Sequence, residues 1–140
     1  MLKVVVDTNQ FVSALISKRS QSARLLELWK NQHFILVTSP EIIAEIKEVL
    51  EYPHIRQKYK LSKVEIGSLL VLIEHEAVVL PSLPAVHIIK DGPDDNKFLA
   101  CALAAQAEYI VSGDRHLLNL GSYGPVSIVT VKDFLHVIDS

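Results

Sequence analysis

Short apolar runs alternate with longer amphipathic stretches along this chain, and the alternation predicts an α/β domain. Leu2 to Val6 is apolar except for Lys3. Its valines are β-branched and stiff, which predicts a central parallel strand. His33 to Val37, Ala77 to Leu80, Tyr109 to Ser112 and Val126 to Val129 read as further strands. Val86 to Ile89 either lengthens the Ala77 to Leu80 strand or forms an edge. Helical patterns fill the intervals. Gln10 to Ile16 and Ser22 to Lys30 come first, the latter packing through Leu25, Leu26, Leu28 and Trp29. Ser39-Pro40 then opens a helix to about Glu51, because Ser caps well and Pro suits the first helical position. Ile42, Ile43, Ile46, Val49 and Leu50 mark its apolar stripe, and Glu45 borders that stripe. Pro53 ends it, and His54 to Lys60 continues as a short polar turn or helix. Ser62 to Glu65 has the form of a capping box before a helix to about His75. Gly92-Pro93 fits the entrance of another, carried by Phe98, Leu99 and Ala102. Arg115 to Leu118 reads as a helical turn, Ser122 to Pro125 as a turn, and Thr130 to Asp133 as the start of a last short helix.

At 140 residues and 49% apolar composition, the chain fits one domain, residues 1–140, with a sizeable core. Its net charge of −2 supplies no overall attraction for nucleic acid, so any such contact must be local. The local candidate is Arg56, Lys58, Lys60 and Lys63 around Tyr59, which reads either as a phosphate-contacting patch or as a solvated face. The single cysteine, Cys101, lies in an Ala-rich helical run and reads as a small buried hydrophobe. An intracellular, cytoplasmic protein is expected from that usage. No apolar run approaches the ~20 residues of a membrane span, and the first residues lack a signal-peptide pattern.

The candidate chemistry is acidic. Asp7 and Asp114 follow predicted strands, and Asp94 and Asp95 open a helix, with Asp91 shortly before. Ligand sites in open α/β sheets lie beyond the carboxyl ends of the strands. A crossover helix after Asp95 would return the next strand, and so Asp114, to the same edge. Carboxylates without paired His or Cys suit Mg²⁺ or Mn²⁺ better than Zn²⁺. The same acids also read as helix caps, so composition and spacing leave both readings open. No GxxxxGK[ST], GxGxxG or GxSxG occurs, which removes support for phosphate-loop, dinucleotide and nucleophilic-serine chemistry. The histidines are scattered singly, and His116 alone lies near a candidate acid.

Three ordered blocks, VVVDTNQFVSAL, PEIIAEIKEVL and PDDNKFLACALAAQAEYIVSGDRHLL, resemble the PIN domain family. Within it they are similar to prokaryotic proteins regarded as toxin components of toxin–antitoxin pairs. The resemblance implies a Rossmann-like, three-layer α/β/α sandwich with a parallel sheet of about five strands. It further implies a Mg²⁺- or Mn²⁺-dependent endoribonuclease whose four acids match Asp7, Glu45, Asp95 and Asp114. In that scheme Asp7, Asp95 and Asp114 hold one or two metals, and Glu45 is a further ligand or a water-orienting base. Thr8, Asn9 and Ser112 match supporting positions, and Asp94 could bind metal-bound water. Arg56, Lys58, Lys60, Lys97 and Arg115 are the cations available to the nucleic acid. In-line attack by water would leave 5′-phosphate and 3′-hydroxyl ends. The expected substrate is single-stranded or looped RNA, and the expected partners are an antitoxin and a second copy of the chain. A catalytically silent or partner-masked domain that only binds is the alternative.

Overall fold

A computed structural model describes residues 1–81, 83 and 93–139. The predicted strand Val86 to Ile89, Gly92 and Asp91 lie outside the described residues. The strands are β1 (Lys3–Val6), β2 (Ile35–Thr38), β3 (Val78–Val79), β4 (Tyr109–Val111), β5 (Ser122–Tyr123) and β6 (Val126–Val129). The helices are α1 (Thr8–Ile16), α2 (Gln21–Lys30), α3 (Pro40–Leu50), α4 (Pro53–Arg56), α5 (Lys63–Glu76), α6 (Asn96–Ala105), α7 (Arg115–Leu120) and α8 (Val131–Asp139). A 3₁₀ turn, Pro93–Asp95, leads into α6.

The sheet order is β3-β2-β1-β4-β6-β5, parallel except for β5, within a three-layer α/β/α sandwich. β1 lies between β2 and β4, with Val5 opposite both Val37 and Ile110. That position explains its unbroken valines, because a strand covered on both faces has no solvent side on which to alternate. Val4, Val5 and Val6 are all buried. α6 packs over β1, β2 and β4, and its small residues Ala100, Cys101 and Ala102 let it approach closely. Phe134 of α8 closes the other flank of the core by edge-on packing against Phe34 and Tyr109.

Several boundaries differ from the sequence expectation; the third strand, for example, is Val78–Val79 rather than Ala77 to Leu80. The second strand begins at Ile35 rather than His33, because the chain is still closing α2. Gln32 takes a left-handed conformation, φ 63°, and the His33 amide bonds back to the Leu28 carbonyl at 2.9 Å. Ser122-Tyr123, expected as part of a turn, pairs antiparallel with β6 and adds a sixth strand. Gly121 and Gly124, at φ 74° and 57°, supply the bends on either side of it. Among the described residues no helix is long and apolar enough to cross a membrane.

Candidate active site

The strand order reverses direction between β1 and β4. The chain leaves β1 towards β2 on one side, and leaves β4 towards β6 on the other. Such a switch point opens a crevice at the carboxyl ends of the two strands. Asp7 and Asp114 stand there. Each also caps the helix that follows, as the capping reading of the sequence expected. Asp7 Oδ1 accepts from the Gln10 amide at 3.3 Å, and Asp114 Oδ1 accepts from the His116 amide at 2.8 Å and the Leu117 amide at 3.3 Å.

Asp7 is held firmly. It is only 4% exposed, and its backbone N–H donates to the Val111 carbonyl at 3.1 Å, continuing the β1–β4 ladder. The hydroxyl of fully buried Ser112 donates to Asp7 Oδ2, and the Ser112 Oγ in turn accepts from the Asp114 amide at 2.9 Å. Ser112 thereby ties the two acids together. Burial pushes the Asp7 carboxyl above its ordinary range, and bonds from Ser112, Gln10 and the Gly113 amide only partly offset this. The carboxamide of Gln10, itself buried, accepts from the Ser22 hydroxyl at 2.8 Å. Gln10 was not singled out from the sequence. Its signal is a polar residue three positions after a capping acid, on the inward face of a short helix.

Asp95 is half-buried at the start of α6 and makes no side-chain cap bond. Burial, a hydrogen bond with Asp114 and the negative charges of Asp114 and Asp7 push it up to about 7, against a smaller pull from Lys97. Burial would also raise Asp114. The bond from Asp95, the amides of His116 and Leu117 and the charge of His116 outweigh it, and Asp114 is lowered. Below about pH 7 Asp95 therefore keeps a proton that it shares with Asp114, as expected of two carboxylates without a cation between them.

Glu45 lies on α3 and is held at both oxygens. The Thr8 hydroxyl donates to Oε1, and the Lys97 ammonium pairs with Oε2. The Lys97 side chain is 9% exposed and its ammonium lies 5.2 Å from the Phe98 ring centre. This pair joins α3 to α6. The remaining expected residues are more open. Asn9 and Asp94 are exposed, and Arg115 is exposed directly after Asp114. Lys58 and Lys60 are exposed, with Lys58 5.2 Å from the Tyr59 ring. Arg56 lines a cavity of about 540 Å³ with Lys47, Glu51 and Lys63, away from the acids.

Donor chemistry and geometry bear differently on a metal. Asp7, Asp95 and Asp114 offer oxygen alone, and their mutual repulsion is met by no ion pair with Lys or Arg among the described residues. Such a set fits a divalent cation of the Mg²⁺ type. Among the described residues, however, no group of three or more His, Cys, Asp or Glu side chains is closed into an arrangement that could hold an ion.

Fold and crevice together define a Rossmann-like domain with an acidic centre at its switch point. The family model of the PIN domain matches residues 3–116, and the chain belongs to that family. It is 33% identical over 119 residues to the uncharacterised protein MJ1680 of Methanocaldococcus jannaschii, covering 85% of this chain and 75% of that protein. Membership supports a nuclease-type function.

Proposed function

We propose that the chain is an endoribonuclease that uses Mg²⁺ or Mn²⁺ to hydrolyse RNA phosphodiester bonds, and that it serves as the toxin of a type II toxin–antitoxin pair in the cytoplasm. The observation that carries the nuclease reading is the meeting of Asp7, Asp95 and Asp114 at the β1–β4 crevice without a Lys or Arg partner among the described residues. A bound divalent ion supplies Lewis acidity, easing ionisation of water and offsetting charge on a phosphoryl oxygen.

The side chains divide the remaining work. Asp7, Asp95 and Asp114 would hold the ion. Ser112 and Gln10 keep Asp7 from turning away. Asp95 would give up its proton to a cation held there, while Asp114 is held in the ionised form by the Asp95 bond and the His116 and Leu117 amides. Glu45, fixed by Thr8 and Lys97, is the fourth acid of the set. Arg115, Arg56, Lys58 and Lys60 would meet phosphates along the bound strand, and an exposed Asp94 and Asn9 would border its path. Single-stranded or looped RNA fits best, since the scissile phosphate must enter a crevice between strand ends. A domain that binds RNA without cutting it is the second reading, favoured by the open arrangement of the acids.

The test is cleavage of a panel of structured and single-stranded RNAs in Mg²⁺, Mn²⁺ or EDTA, with Asp95→Asn beside the wild type. Metal-dependent cuts with 5′-phosphate ends, absent from the variant, are expected. Equal turnover by both proteins would remove the acids from the reaction. RNA retention in a gel shift without cleavage in any metal would favour the binding-only reading. For the toxin role, expression should arrest growth, and Asp7→Asn should relieve the arrest.

A further inference from the structure

Beyond the far end of α3, away from the strand ends, the chain makes a fixed and exposed corner. Residues 52–63 carry four of its fourteen Lys and Arg and no acid, in a protein of net charge −2. None of Arg56, Lys58, Lys60 and Lys63 takes part in an ion pair among the described residues, although Glu51 lines the same cavity as Arg56 and Lys63. Aromatic rings are placed among these cations. Of the four tyrosines, Tyr109 and Tyr123 pack against the core, whereas Tyr52 and Tyr59 are each 38% exposed. Tyr52 stacks on the exposed His54 with ring centres 5.6 Å apart, and the Lys58 ammonium stands 5.2 Å from the centre of Tyr59. The backbone underneath is tied down. The Ile55 and Arg56 amides donate to the Tyr52 carbonyl at 3.0 and 2.9 Å, the Tyr59 amide to the Ile55 carbonyl at 3.1 Å, and the Leu61 amide to the Arg56 carbonyl at 3.0 Å. Leu61 is buried, and Glu48 accepts from the Tyr52 hydroxyl at 3.0 Å, which steadies that ring.

We propose that this corner is a stacking platform for single-stranded nucleic acid: Tyr52, His54 and Tyr59 take bases, while Arg56, Lys58 and Lys60 meet the phosphates between them. The inference rests on the nucleic-acid reading above and adds a second point of attachment, away from the acidic centre. Phosphate contacts alone need no rings, and an acidic peptide would be satisfied by the cations. Exposed rings interleaved with unpaired cations suit a strand whose bases are free to stack. A duplex keeps its bases between their neighbours and could use only the cations. Because the corner is fixed beforehand, little ordering is lost when a strand docks. Position sets the reach. α3 begins just beyond the carboxyl end of β2, and its eleven residues carry the chain about 16 Å, roughly five nucleotides at the spacing of a stacked strand. One strand can lie on the platform and also enter the crevice only if it is longer than that.

The measurement is fluorescence anisotropy of labelled strands with the full chain in EDTA, where binding is read without cleavage. The probes are an oligoadenylate of roughly 12 nucleotides and an abasic strand of the same length and charge. Wild type should hold the oligoadenylate at least about tenfold more tightly than the abasic strand. Tyr52→Ala with Tyr59→Ala should weaken oligoadenylate binding roughly 10- to 100-fold while keeping its salt slope, since no phosphate contact is lost. Tyr52→Phe with Tyr59→Phe keeps the rings and should bind as wild type does; a loss equal to that of the Ala pair would assign the effect to the hydroxyls and overturn the platform. Melting curves verify that each variant is folded, and the two-probe comparison on wild type stands even if the Ala pair is not. Equal affinity of wild type for both probes marks a plain phosphate patch and overturns the inference, as does unchanged binding in the folded Ala pair or no binding by wild type. RNA cleavage in the metal panel above would survive each of these results. Oligoadenylate held through the tyrosines, with no RNA cut in any metal, would leave the platform standing and remove the nuclease.

Discussion

Asp7 and Asp95 are the same residue type at one site, yet the fold treats them oppositely. Asp7 is 4% exposed and is locked by Ser112, by the Gln10 and Gly113 amides and by the strand ladder itself. Asp95 ends a 3₁₀ turn, is half-buried, and has for a partner another acid. The first is positioned by the scaffold whatever is bound. The second is held by a proton, and a cation would replace that proton. A site built this way joins a fixed anchor to a responsive ligand, which gives precision without requiring the unloaded centre to confine several charges at close range.

The largest expected effect comes from destroying the anchor. Asp7→Asn should reduce RNA cleavage to background in Mn²⁺ while raising the melting temperature of the metal-free protein above pH 7, since it removes a buried charge and keeps an acceptor for Gln10. A variant that cuts RNA at the wild-type rate would place the anchor elsewhere. Loosening the anchor should cost less. Ser112→Ala leaves Asp7 Oδ2 and the Asp114 amide without their shared partner, so stability should fall by about 1–3 kcal/mol in a denaturant titration. Its Mn²⁺ affinity should fall by roughly 10- to 100-fold.

The responsive half is tested by pH. Asp95 titrates at about 7 in the folded protein against 3.8 when unperturbed, so between these values the folded state holds a proton that the unfolded state has lost. Stability from this group is complete below 3.8 and falls as pH rises to about 7. In EDTA, wild type should therefore lose thermal stability across that window more steeply than Asp95→Asn. Added Mn²⁺ should stabilise wild type increasingly as pH rises, because loading displaces the proton. Parallel pH profiles of the two proteins in EDTA would contradict a shared Asp95–Asp114 proton. The smallest effect is expected at the exposed cations. Lys58→Ala with Lys60→Ala should weaken RNA binding and flatten its salt dependence, by about 0.7 in the log–log slope for each phosphate no longer neutralised. An unchanged slope would make them a solvated face.

Much of the fold was legible in the chain because it was written in local terms. Valines at β1, the Ser39-Pro40 start of α3 and the Ser62 cap all act within a few residues, and Ser62 accepts the Glu65 amide at 3.0 Å. The ends of β1 and β4 were legible as a meeting point for Asp7 and Asp114, because parallel strands share a carboxyl edge. The turn around Ser122 was not seen as a strand, since its Gly and Pro residues signal reversal equally well whether or not the flanking residues pair. The Lys97–Glu45 pair joins residues 52 positions apart, and its existence depends on how α3 and α6 come together. From the sequence Lys97 is consequently one more cation available to the nucleic acid, whereas in the fold it pairs with Glu45. Gln10 was hidden for a similar reason, as its inward direction follows from the packing of α1 on α2.

The order of the strands has a meaning for the chain as it is made. β1 is flanked by β2, which follows it closely in the sequence, and by β4, which leads into Ser112, 105 residues after Asp7. Synthesis delivers Asp7, Thr8 and Glu45 early, with one flank of β1 still unpaired. The hydroxyl that fastens Asp7 and the carboxylate that shares the Asp95 proton emerge only after α6 and β4 have been translated. A nascent chain cannot assemble the acidic centre before Ser112 and Asp114 have emerged, so the ribosome and the message it is reading are spared the proposed activity until then.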